Sequence, residues 1–433
     1  MAAATRAAGS YANRDAQGLL DQAVAAAGRA GDPSLEAAAR LDRGRVLVAL
    51  GDYRAAFADQ RRSLELATAN GDDRLEAAAL EQLGWTAYYS RDQHASEVTV
   101  EARELAERAV SARRAGPMAS LLAARVRHAD GDLPGARAAF DAVLGPRPGP
   151  GEAARPGEAA RPDEPGGPGT ATGAAGLAWL GLLLEHGDRF AEATSVLDQG
   201  IEACRAAGLF RPMLTACFGA TLAYANLGDL RVALDRLALL ERLLAEVEDR
   251  FYHARAATLG SWLWRELGDP GRSRDLAERA AGLLGEATTG THPGLHAQLS
   301  LAECALVAGD HGEAAALLER AGDQLARPFG YRWRVELRHA ELSSRLDPPA
   351  AEGLLDLART YGSAKYQAIA MARLGHREEA ARLAAGSGSD YLLAQVAPAA
   401  QARAAVDRIA AALPPELRPG FLDRGPLATG LPG

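Results

Sequence analysis

The chain has 433 residues, 48% of them hydrophobic and 24% charged, with a formal net charge of −8. That acidic balance argues against a nucleic-acid-binding face, which needs clustered basic residues for phosphate contacts. No apolar run approaches the roughly 20 residues of a membrane span. The three cysteines, Cys204, Cys217 and Cys304, have no paired spacing, which excludes a disulfide framework and implies buried reduced thiols in a cytoplasmic protein.

Ala and Leu supply most of the apolar share, and Ile occurs only at Ile201, Ile369 and Ile409, so the alphabet is a helix-forming one. Lys365 is the only lysine; the predominance of Arg fits the codon usage of a GC-rich genome. Arg6 is followed by no continuous apolar core, so a signal peptide is not expected.

A leading helix is predicted over 10–30. Nine helical hairpins follow, at 34–69, 73–114, 117–144, 173–207, 210–246, 249–287, 292–325, 329–360 and 363–386, and a trailing helix at 389–412. They are punctuated by a Gly-Asp step at Gly51-Asp52, Gly131-Asp132, Gly228-Asp229, Gly268-Asp269 and Gly309-Asp310, with weaker forms at Arg91-Asp92, Asp188-Arg189 and Gly375-His376. The intervals from 188 to 228 to 268 to 309 are 40, 40 and 41 residues. Such a period marks a solenoid, in which each unit buries its apolar face by stacking on its neighbours. The step has a local cause: Gly ends one helix in the left-handed conformation and Asp caps the next. A small residue five places later (Ala56, Ala136, Ala233, Ala314, Ala380) marks where the second helix meets the first, and Gly84 permits close approach of two helices.

Residues 145–172 break the pattern. Between Gly145 and Gly169 the chain is rich in Pro and Gly, contains a tandem PGEAAR and has no large apolar residue, a composition that cannot bury enough surface to fold. The expected domains are therefore a sub-solenoid at 1–144, a disordered inserted loop at 145–172, a second sub-solenoid with its capping helix at 173–412, and a flexible tail at 413–433. The insert is a tolerant loop or a joint between the two sub-solenoids.

Leu80…Leu83-Gly84…Arg91-Asp92, Gly51-Asp52-Tyr53…Ala56 and Leu177…Leu180-Gly181…Asp188-Arg189 resemble the tetratricopeptide repeat over residues 10–412. The chain departs from that pattern at Arg43, where Leu is expected before Gly44, and at the eighth turn, Ser344 to Pro348, which lacks Gly. The resemblance implies an all-α, right-handed α-solenoid of stacked antiparallel hairpins, repeating about every forty residues. Three further segments, Tyr11 to Ala16, Thr360 to Tyr366 and Leu413 to Leu427, resemble the repeat tails of large bacterial signalling ATPases and transcriptional regulators. This implies a signalling ATPase head as a candidate partner.

Sequence motifs for catalysis are lacking. Lys365 stands outside any Gly-Lys-Ser/Thr frame, so no phosphate-cradling loop is expected. His292 and His296 have i, i+4 spacing but no intervening Glu, and Pro293 sits at a helix start, so neither metal nor cofactor is expected. Gly386-Ser-Gly-Ser-Asp390 reads as an inter-helix loop.

In the resembled family the first helix of each hairpin lines a concave groove. Carried over, the groove residues are Trp85, Tyr88 and Tyr89, then Arg125, Asn226, Arg255, Trp262, Arg265, Glu303, Trp333 and Lys365. Phe218, Leu222, Glu185, His186, His296, Glu336, Ile369 and Arg373 fall at neighbouring inward positions, and Trp264 is expected in the packing core. Aromatic plus arginine is the composition of interface hot spots. The expectation is a non-enzymatic scaffold that binds a protein or peptide in its groove, as the sensory or interaction arm of a signalling or transcription-regulating system. The alternative is a small-molecule-sensing regulator domain coupled to an upstream nucleotide-binding switch.

Overall fold

A computed structural model of the protein describes residues 13–50, 52–90, 98–145, 167, 169–246, 249–285, 291–327 and 329–429. Gly51, the Arg91-Asp92 turn, most of the 145–172 insert and the first residues of the Tyr11 to Ala16 segment lie outside them. The described residues contain helices and turns and no strand.

After α1 (Asn13–Ala30) the helices pair into hairpins, α2 (Pro33–Leu50) with α3 (Tyr53–Asn70) and α4 (Asp73–Ser90) with α5 (Val98–Ser111), and α6 (Pro117–Asp130) and α7 (Leu133–Leu144) follow in the chain. Next come α8 (Ala171–His186) with α9 (Phe190–Ala206), α10 (Phe210–Leu227) with α11 (Leu230–Leu244), and α12 (Arg250–Glu266) with α13 (Pro270–Leu284). The last three repeats are α14 (His292–Ala308) with α15 (His311–Leu325), α16 (Arg332–Leu346) with α17 (Ala350–Thr360), and α18 (Ala364–Arg373) with α19 (Arg377–Gly386). The chain ends in α20 (Asp390–Val396), α21 (Ala399–Ala412), α22 (Arg418–Arg424) and α23 (Pro426–Thr429).

The turn chemistry is the predicted one. Gly131, Gly228, Gly268 and Gly309 all have positive φ. The following Asp132, Asp229, Asp269 and Asp310 each accept a hydrogen bond from the backbone N–H three residues on, satisfying one of the amides a helix start leaves unpaired. Ala56, Ala136, Ala233, Ala314 and Ala380 are fully buried. A side chain on Gly181 would place its Cβ 2.5 Å from Leu197 Cγ on the partner helix. Gly84 instead yields to the next repeat: its Cβ would fall 2.4 Å from Leu122 Cδ2 on α6.

Two compact units make up the chain, residues 1–127 and 128–433, so the division falls near the end of α6 and earlier than the expected 144/145 junction. In the first unit Arg43 has a structural reason. With Arg40 it holds the buried carboxylate of Asp59, its Nε 2.6 Å from Oδ2 and its Nη2 2.7 Å from Oδ1. Three expectations near the second unit's helices are corrected. The trailing helix splits at Ala397-Pro398, because Pro lacks the N–H that would continue it and holds Ala397 extended (φ −74°, ψ 163°). Part of the tail, 413–429, folds into α22 and α23, with Phe421 fully buried. Trp264 is only half-buried, lying 3.7 Å beneath the Arg272 guanidinium rather than in the core.

The second unit also turns back on itself. Trp333 Nε1 donates to the His128 carbonyl at 3.3 Å, and Ser363 Oγ and the Lys365 N–H donate to Asp188 Oδ2 at 2.7 and 3.0 Å. Ser389 Oγ donates to the Asn226 carbonyl, and Trp262 Nε1 donates to Tyr391 Oη at 3.0 Å. At α12's end Gly268 has φ +78°, and a Cβ there would lie 2.0 Å from the Gly420 carbonyl oxygen, so only Gly fits on both counts. No described helix is long and apolar enough to cross a membrane.

Candidate functional site

Closure of the second unit leaves a cavity of about 140 Å³. Its walls come from the first helix of successive hairpins. They are His186 at the end of α8, Phe218, Leu222 and Asn226 on α10, and Arg255, Thr258, Leu259, Trp262 and Arg265 on α12. The α14 helix gives His292, Pro293, His296 and Glu303; α16 gives Arg334, Arg338, Glu341 and Arg345; α18 gives Lys365, Tyr366 and Ile369; α20 gives Tyr391 and Gln395.

One side of the cavity is an ion network centred on Glu303. Its carboxylate receives Arg265 Nη2 at 3.0 Å, Arg338 Nη2 at 3.1 Å and Arg345 Nη2 at 3.2 Å. Burial alone would raise this carboxyl, but Arg265, Arg345 and Arg338 outweigh it and hold the group down at about 2. Arg345 Nε also reaches Glu341 at 2.9 Å, and Arg373 closes on the same carboxylate from behind. Arg338 further touches His296 Nδ1 at 3.0 Å and Ser300 Oγ at 3.1 Å. Burial and the cations of Arg338, Arg334 and Arg255 keep His296 neutral, well below its ordinary value. Arg265 is 2% exposed, and its Nε and Nη1 have no hydrogen-bond partner.

The opposite side is built on Asn226. Its Nδ2 donates to Glu185 Oε1 at 2.9 Å, while its Oδ1 accepts from Lys365 Nζ at 2.7 Å. Burial pushes Glu185 and Asp188 above the ordinary carboxylate range against the pull of their basic neighbours. Burial and the nearby Arg334 push Lys365 down. Lys365 Nζ lies 5.8 Å from the Trp262 ring and 5.6 Å from that of Tyr366, within range of a cation–π contact. The Trp262 indole meets the Tyr391 ring edge-on at 5.5 Å, and Tyr391 Oη donates to Glu266 at 3.1 Å.

The cavity gathers Asn226, Arg255, Trp262, Arg265, Glu303 and Lys365 from the groove residues expected from sequence. Trp85, Tyr88, Tyr89 and Arg125 belong to the first unit. There Trp85 and Tyr89 stack at 5.7 Å, and Arg125 bonds Tyr88 Oη with its guanidinium over the ring. Trp333 does not line the cavity; it is 3% exposed in a core cluster with Leu337, Leu354 and Tyr366. Glu336 accepts from Tyr361 Oη at 2.6 Å. The register on α16 is thus one residue off the expectation, since the eighth turn offers no glycine to count from. The inward face is Arg334, Arg338, Glu341 and Arg345, an i, i+4, i+7, i+11 stripe that the helical period contains. Tyr391 and Gln395 carried no repeat signal. No group of His, Cys, Asp and Glu suited to a metal ion occurs among the described residues.

No protein-family model and no curated protein matches the chain. Among solved structures it resembles a Rap protein complexed with competence and sporulation factor, with a TM-score of 0.57 and 13% identity over 82% of this chain and 97% of that one. The fold is a tetratricopeptide-like α-solenoid. The apo form of the quorum sensor NprR from B. thuringiensis also aligns, at a TM-score of 0.45 and 13% identity, over 80% of this chain and 96% of that one.

Proposed function

We propose that the chain is a non-catalytic scaffold whose second unit binds an extended peptide segment in the cavity between α8 and α20. The observation that carries this is the convergence of Asn226, Lys365, Trp262, Arg255 and Phe218 from three helices on one cavity. An amide and cations beside aromatic faces offer donors and acceptors for a peptide backbone and an apolar seat for a side chain. The cavity takes side chains of a segment, not a folded domain. The Rap protein's complex supplies a precedent for a factor held by this fold.

By its resemblance to signalling ATPase tails, the chain serves as the interaction arm of a bacterial signalling system, and an ATPase head is the candidate source of the segment. The test is titration of the full chain with a short-peptide library, read by the fluorescence of Trp262 against a Trp262→Phe control. Thr258→Trp, which fills the cavity from α12, abolishes binding while far-UV circular dichroism and thermal midpoint stay near wild type. Peptide binding that survives Thr258→Trp in a folded protein would place the site elsewhere.

A further inference from the structure

The cavity is electropositive on an acidic chain. Its wall carries Arg255, Arg265, Arg334, Arg338, Arg345 and Lys365 against the carboxylates of Glu303 and Glu341, a surplus of four positive charges, while the whole chain carries −8. The internal acids do not close this gap. Glu303 is shared by three guanidinium groups. Glu341 is shared by Arg345 and Arg373. Glu185, Asp188 and Glu266, behind the wall, still leave two more cations than anions once Arg373 is counted.

Two of these cations are under-supplied with anionic acceptors. Lys365 donates to the neutral amide oxygen of Asn226. Arg265, buried at 2% exposure, keeps Nε and Nη1 unpaired on the cavity wall. Buried cations without matching acceptors are costly, and a bound anion removes that cost. Guanidinium forks match the planar, two-oxygen geometry of a carboxylate. Beside them Phe218, Leu222, Trp262 and Ile369 form an apolar wall, which a bare inorganic anion would leave unfilled.

We propose that the occupant is an acidic peptide, its carboxylate seated among the arginines of α12 and α16 and Lys365 of α18, and an adjacent apolar side chain laid on Trp262. This rests on the peptide reading above. The carboxylate comes from an Asp or Glu side chain or from the peptide's own C-terminus.

The experiment uses the full chain and a hexapeptide library made in parallel as free acids and C-terminal amides, with Asn and Gln counterparts of every Asp and Glu. Inorganic phosphate and citrate alone are run alongside by thermal shift. The expected result is that the tightest peptides are acidic, that removing the decisive carboxylate weakens binding at least about tenfold, and that salt weakens it further. Lys365→Met and Arg255→Gln weaken acidic peptides several-fold more than their neutral Asn, Gln or amide counterparts. Loss on C-terminal amidation assigns the terminus as the source, and loss on Asp→Asn or Glu→Gln assigns a side chain. Neutral peptides binding as tightly as acidic ones would overturn the proposal and leave the peptide reading standing. Stabilisation by citrate or phosphate with no peptide bound would overturn the peptide reading and leave an anion site. No response to any of these probes would sink both.

Discussion

Glu303 offers the sharpest quantitative test of the cavity's electrostatics. Replacing it by Gln removes one carboxylate from among Arg265, Arg338 and Arg345 with little change in volume. A carboxyl held at about 2 in the folded chain, against an ordinary 4.5, contributes about 3 kcal/mol at neutral pH. Breaking a buried ion pair from one side gives a similar figure by an independent route, about 3–5 kcal/mol. Because the folded value is depressed, this contribution is complete above the ordinary value and is lost as pH falls through 4.5 toward 2. The stability gap between wild type and Glu303→Gln should therefore be about 3 kcal/mol at pH 7 and fall to about 1 kcal/mol by pH 3. Glu185, Asp188 and Glu266 titrate in the opposite sense, since burial raises them. They are common to both proteins and cancel to first order in the difference. Urea unfolding followed by tryptophan fluorescence suits the measurement, because Trp179, Trp262, Trp264 and Trp333 all lie in the second unit. A gap below about 1 kcal/mol at pH 7, or one that persists undiminished at pH 3, would refute the reasoning.

Gly181→Ala would push a methyl group to within 2.5 Å of Leu197 Cγ and 3.2 Å of the Leu197 backbone nitrogen; overpacking of about 1–3 kcal/mol is expected as a lowered urea midpoint. Tyr391→Phe leaves Glu266 and the Trp262 indole N–H without their partner, and a loss of about 1–3 kcal/mol should accompany a change in Trp262 emission. Burial pushes the thiols of Cys204 and Cys217 up to about 12. At pH 8 only about one part in ten thousand is then thiolate, so peptide mapping after treatment with a thiol-reactive disulfide should find both unlabelled in the native chain and labelled in denaturant.

The hairpins were legible because their signals are local. A helix end, a left-handed Gly and an Asp that accepts the third amide are decided within five residues, and the predicted pair at 210–246 appears as Phe210–Leu227 and Leu230–Leu244. The cavity was legible in part for the same reason: counting back from a regular turn places Asn226, Trp262 and Arg265 on the inward face. Where the turn was irregular the count slipped, as on α16, where Trp333 went to the core and Arg334 and Arg338 to the cavity. The contacts that close the second unit were beyond this kind of reading. Ser389 and Asn226 are 163 positions apart, and Trp333 and His128 are 205 apart. Neither pair repeats, so no period announces them. The loop reading of Gly386 to Asp390 missed that Ser389 both caps α20 and ties it to α10.

Closure and the site are one piece of structure. Lys365 and Tyr391 enter the cavity from α18 and α20, and each is anchored across it, on Asn226 of α10 and on Trp262 and Glu266 of α12. The backbone contributes as well. Asp188 stands in the left-handed region at φ 60° without being glycine, a conformation Asp tolerates better than most residues, and from there its carboxylate caps the turn before α18 through Ser363 and the Lys365 N–H. If α18 and α20 separated from α10 and α12, Lys365, Tyr366, Ile369, Tyr391 and Gln395 would leave the cavity wall with them, and Glu185, Asp188 and Glu266 would regain water. A ligand that touches both walls must therefore stabilise the closed unit by the free energy with which it binds. Reciprocally, a substitution that loosens the closing contacts weakens the ligand without touching it. A solenoid is otherwise a chain of nearest-neighbour interfaces with no reason to prefer one curvature; here the polar contacts between distant repeats set the curvature, and they do so at the cavity itself.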